Sequence, residues 1–294
     1  MIIIFGANGW IGSKVVKLLE EKQIPFIKSQ NRADDISSIR NEIHKSPETI
    51  THMMSFIGRT HGVYDNEKIT TIDYLEKPGK LVDNVRDNLY SPVSLALLCL
   101  EFNIHFTYLG TGCIFEYDEE HPYGNEKTGF LEISNPNFTG SSYSIVKGFT
   151  DQLMRQFPNV LNMRIRMPIT NEVHERNFIT KITNYKKVCS IPNSMTVLNE
   201  LLPYMIELML QNEVGTINLT NPGLISHNEI LEMYKEIVDH EFQWENFTQE
   251  EQNTILLSKR SNNCLDTTVL QHYFPQIKTI KESVQDMLYQ MKLP

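Results

Sequence analysis

The chain opens on an unbroken apolar run, Ile2-Ile3-Ile4-Phe5, passes through spaced glycines, and then carries apolar residues at helical spacing over residues 10–22. A short β-branched run bounded by glycine reads as a buried strand, and the 3.6-residue periodicity after it reads as an amphipathic helix. The same alternation recurs. Strands are predicted over residues 2–5, 26–28, 49–56, 105–109 and 161–166, and helices over 10–22, 36–45, 87–102 and 142–156. In the third helix Val93, Leu97 and Leu100 form the expected apolar stripe. Strands alternating with crossover helices specify an α/β fold, a Rossmann-type doubly wound parallel sheet. Beyond residue 168 the alternation weakens as Pro, Asn and Thr become more frequent, although residues 200–210 and 228–238 still read as helices. Leu201, Met205, Leu208 and Met209 read as core. The expected division is a dinucleotide-binding domain over 1–167 and a smaller C-terminal substrate region over 168–294, with interleaving of the two left open. No internal repeat or low-complexity tract argues for a solenoid.

Composition narrows the classes. Apolar residues make up 40% and charged residues 21%, values of a soluble globular protein, and no apolar run approaches the ~20 residues needed to span a bilayer. A net charge of -9 offers no general field for a nucleic-acid backbone, so neither nucleic acid nor membrane is an expected partner. Cysteines at 99, 113, 189 and 264 share no C-x-x-C spacing, which suggests neither a zinc site nor a disulfide framework; no metal is expected. The first strand follows Met1 directly, leaving no room for a leader, so the expected location is the cytoplasm, with the thiols reduced.

The first turn carries the clearest chemistry. In Gly6-Ala7-Asn8-Gly9-Trp10-Ile11-Gly12 the order is strand, glycine turn, helix. Gly6 permits the sharp exit, Gly9 lets backbone approach a pyrophosphate, and Gly12 lets helix pack on strand, while the helix N-terminus offers N–H groups and a positive dipole end. Asn8, Trp10 and Ile11 line the same turn. NAD-dependent relatives of this architecture place an acid about 20 residues on, at the end of the second strand. Here that place reads Gln30-Asn31-Arg32, and a guanidinium favours the extra phosphate of NADPH, with Asn31 beside it. A solvated surface arginine is the alternative, since Asp34 and Asp35 stand close.

Tyr143-Ser-Ile-Val-Lys147 sets a phenol and an ammonium four apart, hence on one helix face, after the fourth strand and before the fifth. A fixed positive charge eases proton exchange by a phenol. Thr111 stands at the end of the fourth strand, where open α/β sheets bind ligands. Asn88, in the preceding helix, is a candidate for a water relay or an ordinary polar helix residue.

With these residues the chain resembles the extended short-chain dehydrogenase/reductase superfamily over its full length. Further stretches narrow the resemblance: Gly110-Thr-Gly-Cys-Ile-Phe-Glu-Tyr-Asp118, Asn135-Pro-Asn-Phe-Thr-Gly-Ser-Ser-Tyr-Ser144, Arg164-Ile-Arg-Met-Pro-Ile169, Asn177-Phe-Ile-Thr-Lys-Ile182, Ile191-Pro-Asn-Ser-Met-Thr196 and Arg260-Ser-Asn-Asn263. Together they look like the bifunctional 3,5-epimerase/4-reductases that finish UDP-L-rhamnose synthesis in plants and some giant viruses. Two departures stand out. The Asn-Ala-Ala-Gly usual after the third strand reads Ser55-Phe56-Ile57-Gly58, and residues 59–86 show little of the family pattern.

The resemblance implies a UDP-sugar, UDP-4-keto-6-deoxyglucose, inverted at carbons 3 and 5 and then reduced at carbon 4 by NADPH. Thr111 and Tyr143 would stabilise charge on the keto oxygen in both stages, Tyr143 acting as the final acid and Lys147 also holding the nicotinamide ribose. The resemblance pairs Cys113 with Lys181 as the acid and base of epimerisation, in an order that stays open, and His174 is the nearest histidine should a Cys–His pair operate instead. Ordinary thiols titrate at about 8.5 and amines at about 10.4, so their surroundings must tune them. A small buried apolar role is the alternative for Cys113, and a solvated lysine for Lys181. The resemblance also makes Asn177, Asn193 and Arg260 substrate contacts, Arg260 because a diphosphate needs a paired cation. A monofunctional 4-keto-sugar reductase and a non-catalytic NADP-binding regulatory subunit remain as rivals. Oligomeric state stays open, a homodimer being one option.

Overall fold

The computed structural model describes residues 1–292. The chain forms two compact, interleaved units. The first comprises Met1–Thr111, Ser141–Arg164 and Leu202–Ile217; the second comprises Gly112–Gly140, Ile165–Leu201 and the chain from Asn218 onward. Gly112–Gly140 and Leu202–Ile217 thus lie on the other side of a boundary drawn at residue 167.

The first unit is built on a six-stranded parallel sheet. Its strands are β1 (Ile2–Phe5), β2 (Phe26–Lys28), β3 (His52–Ser55), β6 (His105–Thr111), β7 (Val160–Ile165) and β9 (Gly215–Asn218), in the order β2-β1-β3-β6-β7-β9. Ile3 pairs with Ile27 on one side and Met53 on the other, and Met53 pairs with Phe106. The strands of a parallel sheet are covered on both faces, which is why β1 is apolar at every position rather than alternating. Ile3, Met53 and Phe106 have no exposed surface, and each such burial contributes roughly 1.5–3 kcal/mol. Helices α1 (Trp10–Glu21) and α2 (Ile36–Lys45) begin where the pattern predicts. Strand order reverses beside β1, so the carboxyl ends of β1 and β3 flank the crevice where such sheets bind nucleotides. A small antiparallel hairpin, β4 (Gly62–Tyr64) and β5 (Glu67–Ile69), turns on Asp65 and Asn66, both at positive φ.

The helix expected over 87–102 is longer and differently faced. It comprises α3 (Leu81–Val85), a widened π turn (Arg86–Tyr90) and α4 (Ser91–Glu101). Pro92 explains the widening. It has no N–H to give to the carbonyl of Asn88, and Thr150 Oγ1 donates to that carbonyl instead, at 2.6 Å. The predicted stripe is corrected as well: Leu95, Ala96, Leu98 and Cys99 are buried, whereas Leu97 is 54% and Leu100 46% exposed. Helix α5 (Ser142–Met154) follows β6 and starts at Ser141, whose Oγ accepts from the Ser144 N–H.

The second unit packs α6 (Phe178–Thr183), α8 (His227–Ile237) and α11 (Ile280–Lys292) around Ile169, Ile179, Met195, Ile230 and Val284, all at most 1% exposed. Ser226 and Glu229 close a reciprocal capping box on α8. Helix α7 (Leu198–Leu210) begins in this unit and ends in the first, and its Leu201, Met205, Leu208 and Met209 are buried. Short strands β8 (Lys187–Val188) and β10 (Glu245–Asn246) pair in parallel, and α9 (Gln249–Ile255) and α10 (Thr268–Tyr273) complete the unit.

Candidate active site

At the first turn the glycines do what the sequence requires of them. Gly6 has φ +76°, in the region that side chains disfavour, and a Cβ on Gly12 would stand 2.1 Å from the Gly6 carbonyl oxygen. Helix and strand therefore approach as closely as they do only with glycine at position 12. A Cβ on exposed Gly9 would meet only the Gly6 oxygen, at 3.2 Å, so backbone there is open to close approach from outside. Gly9 is also the N-cap of α1 and no side chain caps that end, which leaves the first-turn N–H groups to an incoming anion. The turn, with Asn8 and Gly9 exposed and Trp10 and Ile11 half-buried, fits a dinucleotide pyrophosphate.

Beyond β2 the exposed Arg32 directs Nε and Nη2 at both oxygens of Asp34, at 2.9 and 3.1 Å. Hydrogen bonding to Arg32 holds the Asp34 carboxyl below the usual range, with a smaller contribution from Arg86, whose Nε lies 4.0 Å away. The guanidinium fork is thus already filled by a carboxylate, and a phosphate arriving there has to share or displace it. Asn31 Nδ2 donates to Glu42, which fixes the residue before the fork.

Along α5, Tyr143 is half-buried and Lys147 is 5% exposed, one turn apart on the same face. The Lys147 ammonium donates to the phenol oxygen of Tyr108 in β6 and lies 4.5 Å from that ring's centre. Burial pushes the Tyr108 phenol well above its usual range, with Tyr143 and Asp151 adding to the effect, so Tyr108 is a neutral acceptor. One turn further along, Asp151 is held by Arg164 through both oxygens, at 2.8 and 2.7 Å, and by Asn162 at 2.8 Å. Thr111, 7% exposed, ends β6. Asn88 has its side chain engaged by the Arg59 backbone and Asn84, and its carbonyl by Thr150, so its groups hold the segment after β3.

In the second unit Cys113 is half-buried, whereas Cys189 and Cys264 are buried, as is Cys99 of the first unit. Lys181 lies on α6, and burial, then the positive charges of Arg176 and Arg260, draw its ammonium below the usual lysine range. Arg176 is a cation that motif reading missed, and only its place in the turn before α6 brings it to Lys181. Arg260 donates to the carbonyl of Ser258, at 2.9 Å, and to that residue's hydroxyl. Asn177 and Asn193 have no exposed surface. Asn177 caps α6 and ties Thr170 and Glu172 through their carbonyls, at 2.9 and 2.7 Å. Asn193 accepts from Arg166 and the Asn263 N–H and donates to Ile191 and Asn262. Both amides are consumed inside the unit, so their part in a site is to hold the segments bearing Lys181 and Cys113. His174 Nδ1 accepts from the Arg176 N–H, a local turn contact. Among the described residues no group of three or more His, Cys, Asp or Glu could hold a metal ion.

Fold and first turn define a Rossmann-type nucleotide-binding protein. The model of the NAD dependent epimerase/dehydratase family matches residues 2–174, and the chain belongs to that family. It is 50% identical to the crystal structure of the L780 UDP-rhamnose synthase from Acanthamoeba polyphaga mimivirus, with a TM-score of 0.93 and 99% of each chain covered. It is 41% identical to the bifunctional dTDP-4-dehydrorhamnose 3,5-epimerase/dTDP-4-dehydrorhamnose reductase of Arabidopsis thaliana, over 98% of this chain and 92% of that one. At 16% identity, a dTDP-4-dehydrorhamnose reductase from Clostridium acetobutylicum shares the fold with a TM-score of 0.77.

Proposed function

We propose that this chain converts UDP-4-keto-6-deoxy-D-glucose to UDP-L-rhamnose, by epimerisation at carbons 3 and 5 followed by NADPH-dependent reduction of the 4-ketone. The observation that carries the reading is the full-length likeness to a UDP-rhamnose synthase, at 50% identity and a TM-score of 0.93. NADPH, when bound, supplies the hydride for carbon 4. The Gly6-Gly9-Gly12 turn, with Asn8, Trp10 and Ile11, holds its pyrophosphate, and Asn31 and Arg32 take its adenosine phosphate.

The 4-keto group acidifies the C–H bonds at carbons 3 and 5, and donors at its oxygen lower the cost of the enolate. Thr111 and Tyr143 are those donors, and they serve the alkoxide of the later reduction as well. Tyr143 then gives its phenolic proton to the alkoxide, eased by the nearby Lys147 ammonium, which also holds the nicotinamide ribose. Cys113 and Lys181 exchange the ring protons. A lysine drawn below its usual range yields a proton readily, as an acid for the opposite face must. Arg260 and Arg176 match the substrate diphosphate. The enzyme works in the cytoplasm, where NADPH is kept reduced and the Cys113 thiol stays free. It assembles as a homodimer through the exposed apolar residues of α4 and α5.

The test is incubation of the purified protein with NADPH and UDP-4-keto-6-deoxyglucose, reading the product by NMR. A UDP-L-rhamnose spectrum with stoichiometric NADPH oxidation is expected. No rhamnosyl product with NADPH unconsumed contradicts the reading.

A further inference from the structure

Arg166 is among the most deeply buried side chains of the molecule, 1% exposed, at the start of the segment after β7. Burying a charge is expensive unless an opposite charge neutralises it, and buried arginines normally face carboxylates, as Arg164 faces Asp151 two residues earlier. Arg166 has no such partner among the described residues. Its Nη2 donates to the side-chain oxygen of Asn193, at 2.8 Å, and to the Ser261 carbonyl, at 3.0 Å; its Nη1 reaches the Gly112 carbonyl at 3.5 Å. All three acceptors are neutral. The buried Nε meets no acceptor.

The side chain passes directly over Gly112. A Cβ there would lie 2.9 Å from both Cγ and Cδ of Arg166, so glycine at 112 is what admits the arginine beside the backbone leading into Cys113. Asn263 donates to the same Gly112 carbonyl at 3.0 Å, so the peptide joining Gly112 to Cys113 is held from two directions. Three ionisable groups lie within electrostatic reach of the guanidinium: Cys113, Tyr117 and Cys264. The Tyr117 phenol donates to the Pro192 carbonyl, and burial raises it beyond reach of neutral pH. Burial lifts the Cys264 thiol to about 11. Both stay neutral under working conditions, and the third group, half-buried Cys113, sits on the very backbone that Arg166 and Asn263 hold at the Gly112 carbonyl.

We propose that Arg166 is a positioning residue for epimerisation: it fixes the Gly112–Cys113 backbone and supplies the permanent positive charge against which Cys113 works as a thiolate base. The assignment rests on the epimerase reading above and deepens it by giving Cys113 the base role and Lys181 the acid role. In each inversion the sugar C–H bond breaks, its proton forms an S–H bond at Cys113, and the electron pair passes to the ketone oxygen as an enolate. A proton from the Lys181 ammonium then adds to carbon on the opposite face, and solvent restores the two protonation states.

Two readouts test this in the full-length protein: the rate of Cys113 alkylation by iodoacetamide at fixed neutral pH, located by mass spectrometry, and deuterium uptake at carbons 3 and 5 of the 4-keto sugar in heavy water. Arg166→Met keeps length and removes charge, and should slow alkylation at least about tenfold, with deuterium uptake falling in parallel, while NADPH still binds. Arg166→Lys keeps the charge and loses the planar fork, and should stay within about threefold of the parent in alkylation. Alkylation unchanged in Arg166→Met, with only the substrate KM raised, assigns the cation to the diphosphate and overturns the proposal. If Arg166→Met does not fold, Arg166→Lys decides: alkylation lost despite retained charge overturns it, and alkylation retained supports it. Cys113→Ser separates this failure from failure of the function itself. Deuterium uptake that survives in Cys113→Ser removes Cys113 from the reaction, whereas uptake lost there but intact in Arg166→Met sinks only the role of Arg166.

Discussion

Lys147 of α5 donates its ammonium hydrogen bond to the phenol oxygen of Tyr108 in β6, with the ring centre of Tyr108 4.5 Å from the nitrogen. A lysine has a long flexible stem, and the proposed steadying of the Tyr143 phenolate by its charge requires the nitrogen to stay in place. Asp151, one turn further along the helix, is bound by Arg164 and Asn162, and Tyr108 gives the Lys147 ammonium a buried acceptor. Tyr108→Phe keeps the ring and removes the acceptor. Loss of an acceptor to a charged donor amounts to about 1–3 kcal/mol, so the rate of 4-keto reduction should fall roughly 5- to 150-fold. Single-turnover NADPH oxidation measures it, and an unchanged rate removes Tyr108 from the account.

The Arg32–Asp34 pair bears on cofactor choice. Asp34 already occupies the guanidinium fork, so it competes with a phosphate for Arg32. Arg32→Ala should raise KM for NADPH by about tenfold or more and leave KM for NADH nearly unchanged, whereas Asp34→Asn should lower KM for NADPH. Steady-state kinetics with both cofactors checks this. Equal losses with NADH and NADPH on Arg32→Ala contradict the phosphate assignment.

Ile145, Phe149 and Leu153 recur every fourth residue on α5 and are 40%, 59% and 42% exposed. Leu97 and Leu100 of α4 are exposed as well, and the proposed dimer would cover these apolar side chains with a second copy of the chain. Phe149→Glu should weaken self-association at least about 100-fold, read by sedimentation equilibrium, because it places a charge in that face. A parent protein that is monomeric at micromolar concentration refutes the dimer.

His227 gives a pH prediction. Its ring packs edge-on to Phe178, with centroids 5.2 Å apart, and its Nδ1 meets no partner. Burial lowers it to about 4. The unfolded chain therefore takes up a proton at about pH 6.5 that the folded protein refuses until pH 4, and stability is lost as pH falls through that window. By pH 4.5 the loss amounts to about 2–3 kcal/mol from this group. Urea unfolding at pH 7 and pH 4.5 should show a smaller acid loss for His227→Gln than for the parent. An equal loss in both proteins contradicts the assignment.

The parts of the fold legible in the sequence are those specified locally. At β1, the glycine turn and α1, apolar run, turn chemistry and helical period all point the same way, and the bounds Ile2–Phe5 and Trp10 follow. Periodicity alone misplaced the buried face of α4, because apolar residues facing solvent or a partner share the helical spacing of core residues. The four-residue strand β9 carries too little pattern to be seen. The contacts that Asn193 and Arg166 make could not be read, since their partners lie as far as 70 and 95 residues away in sequence and only the folded second unit brings them together. Tyr108 was hidden for a related reason. Within an apolar strand it reads as core, which it is, and only the arrival of Lys147 gives its hydroxyl a task.

The central claim, that one chain both inverts two carbons and reduces a third, is tested most directly by running the reaction in heavy water with unlabelled NADPH and UDP-4-keto-6-deoxyglucose. The account predicts UDP-L-rhamnose with deuterium at carbons 3 and 5 and protium at carbon 4. A reduced product that keeps protium at carbons 3 and 5 would contradict it and leave a plain 4-keto reductase.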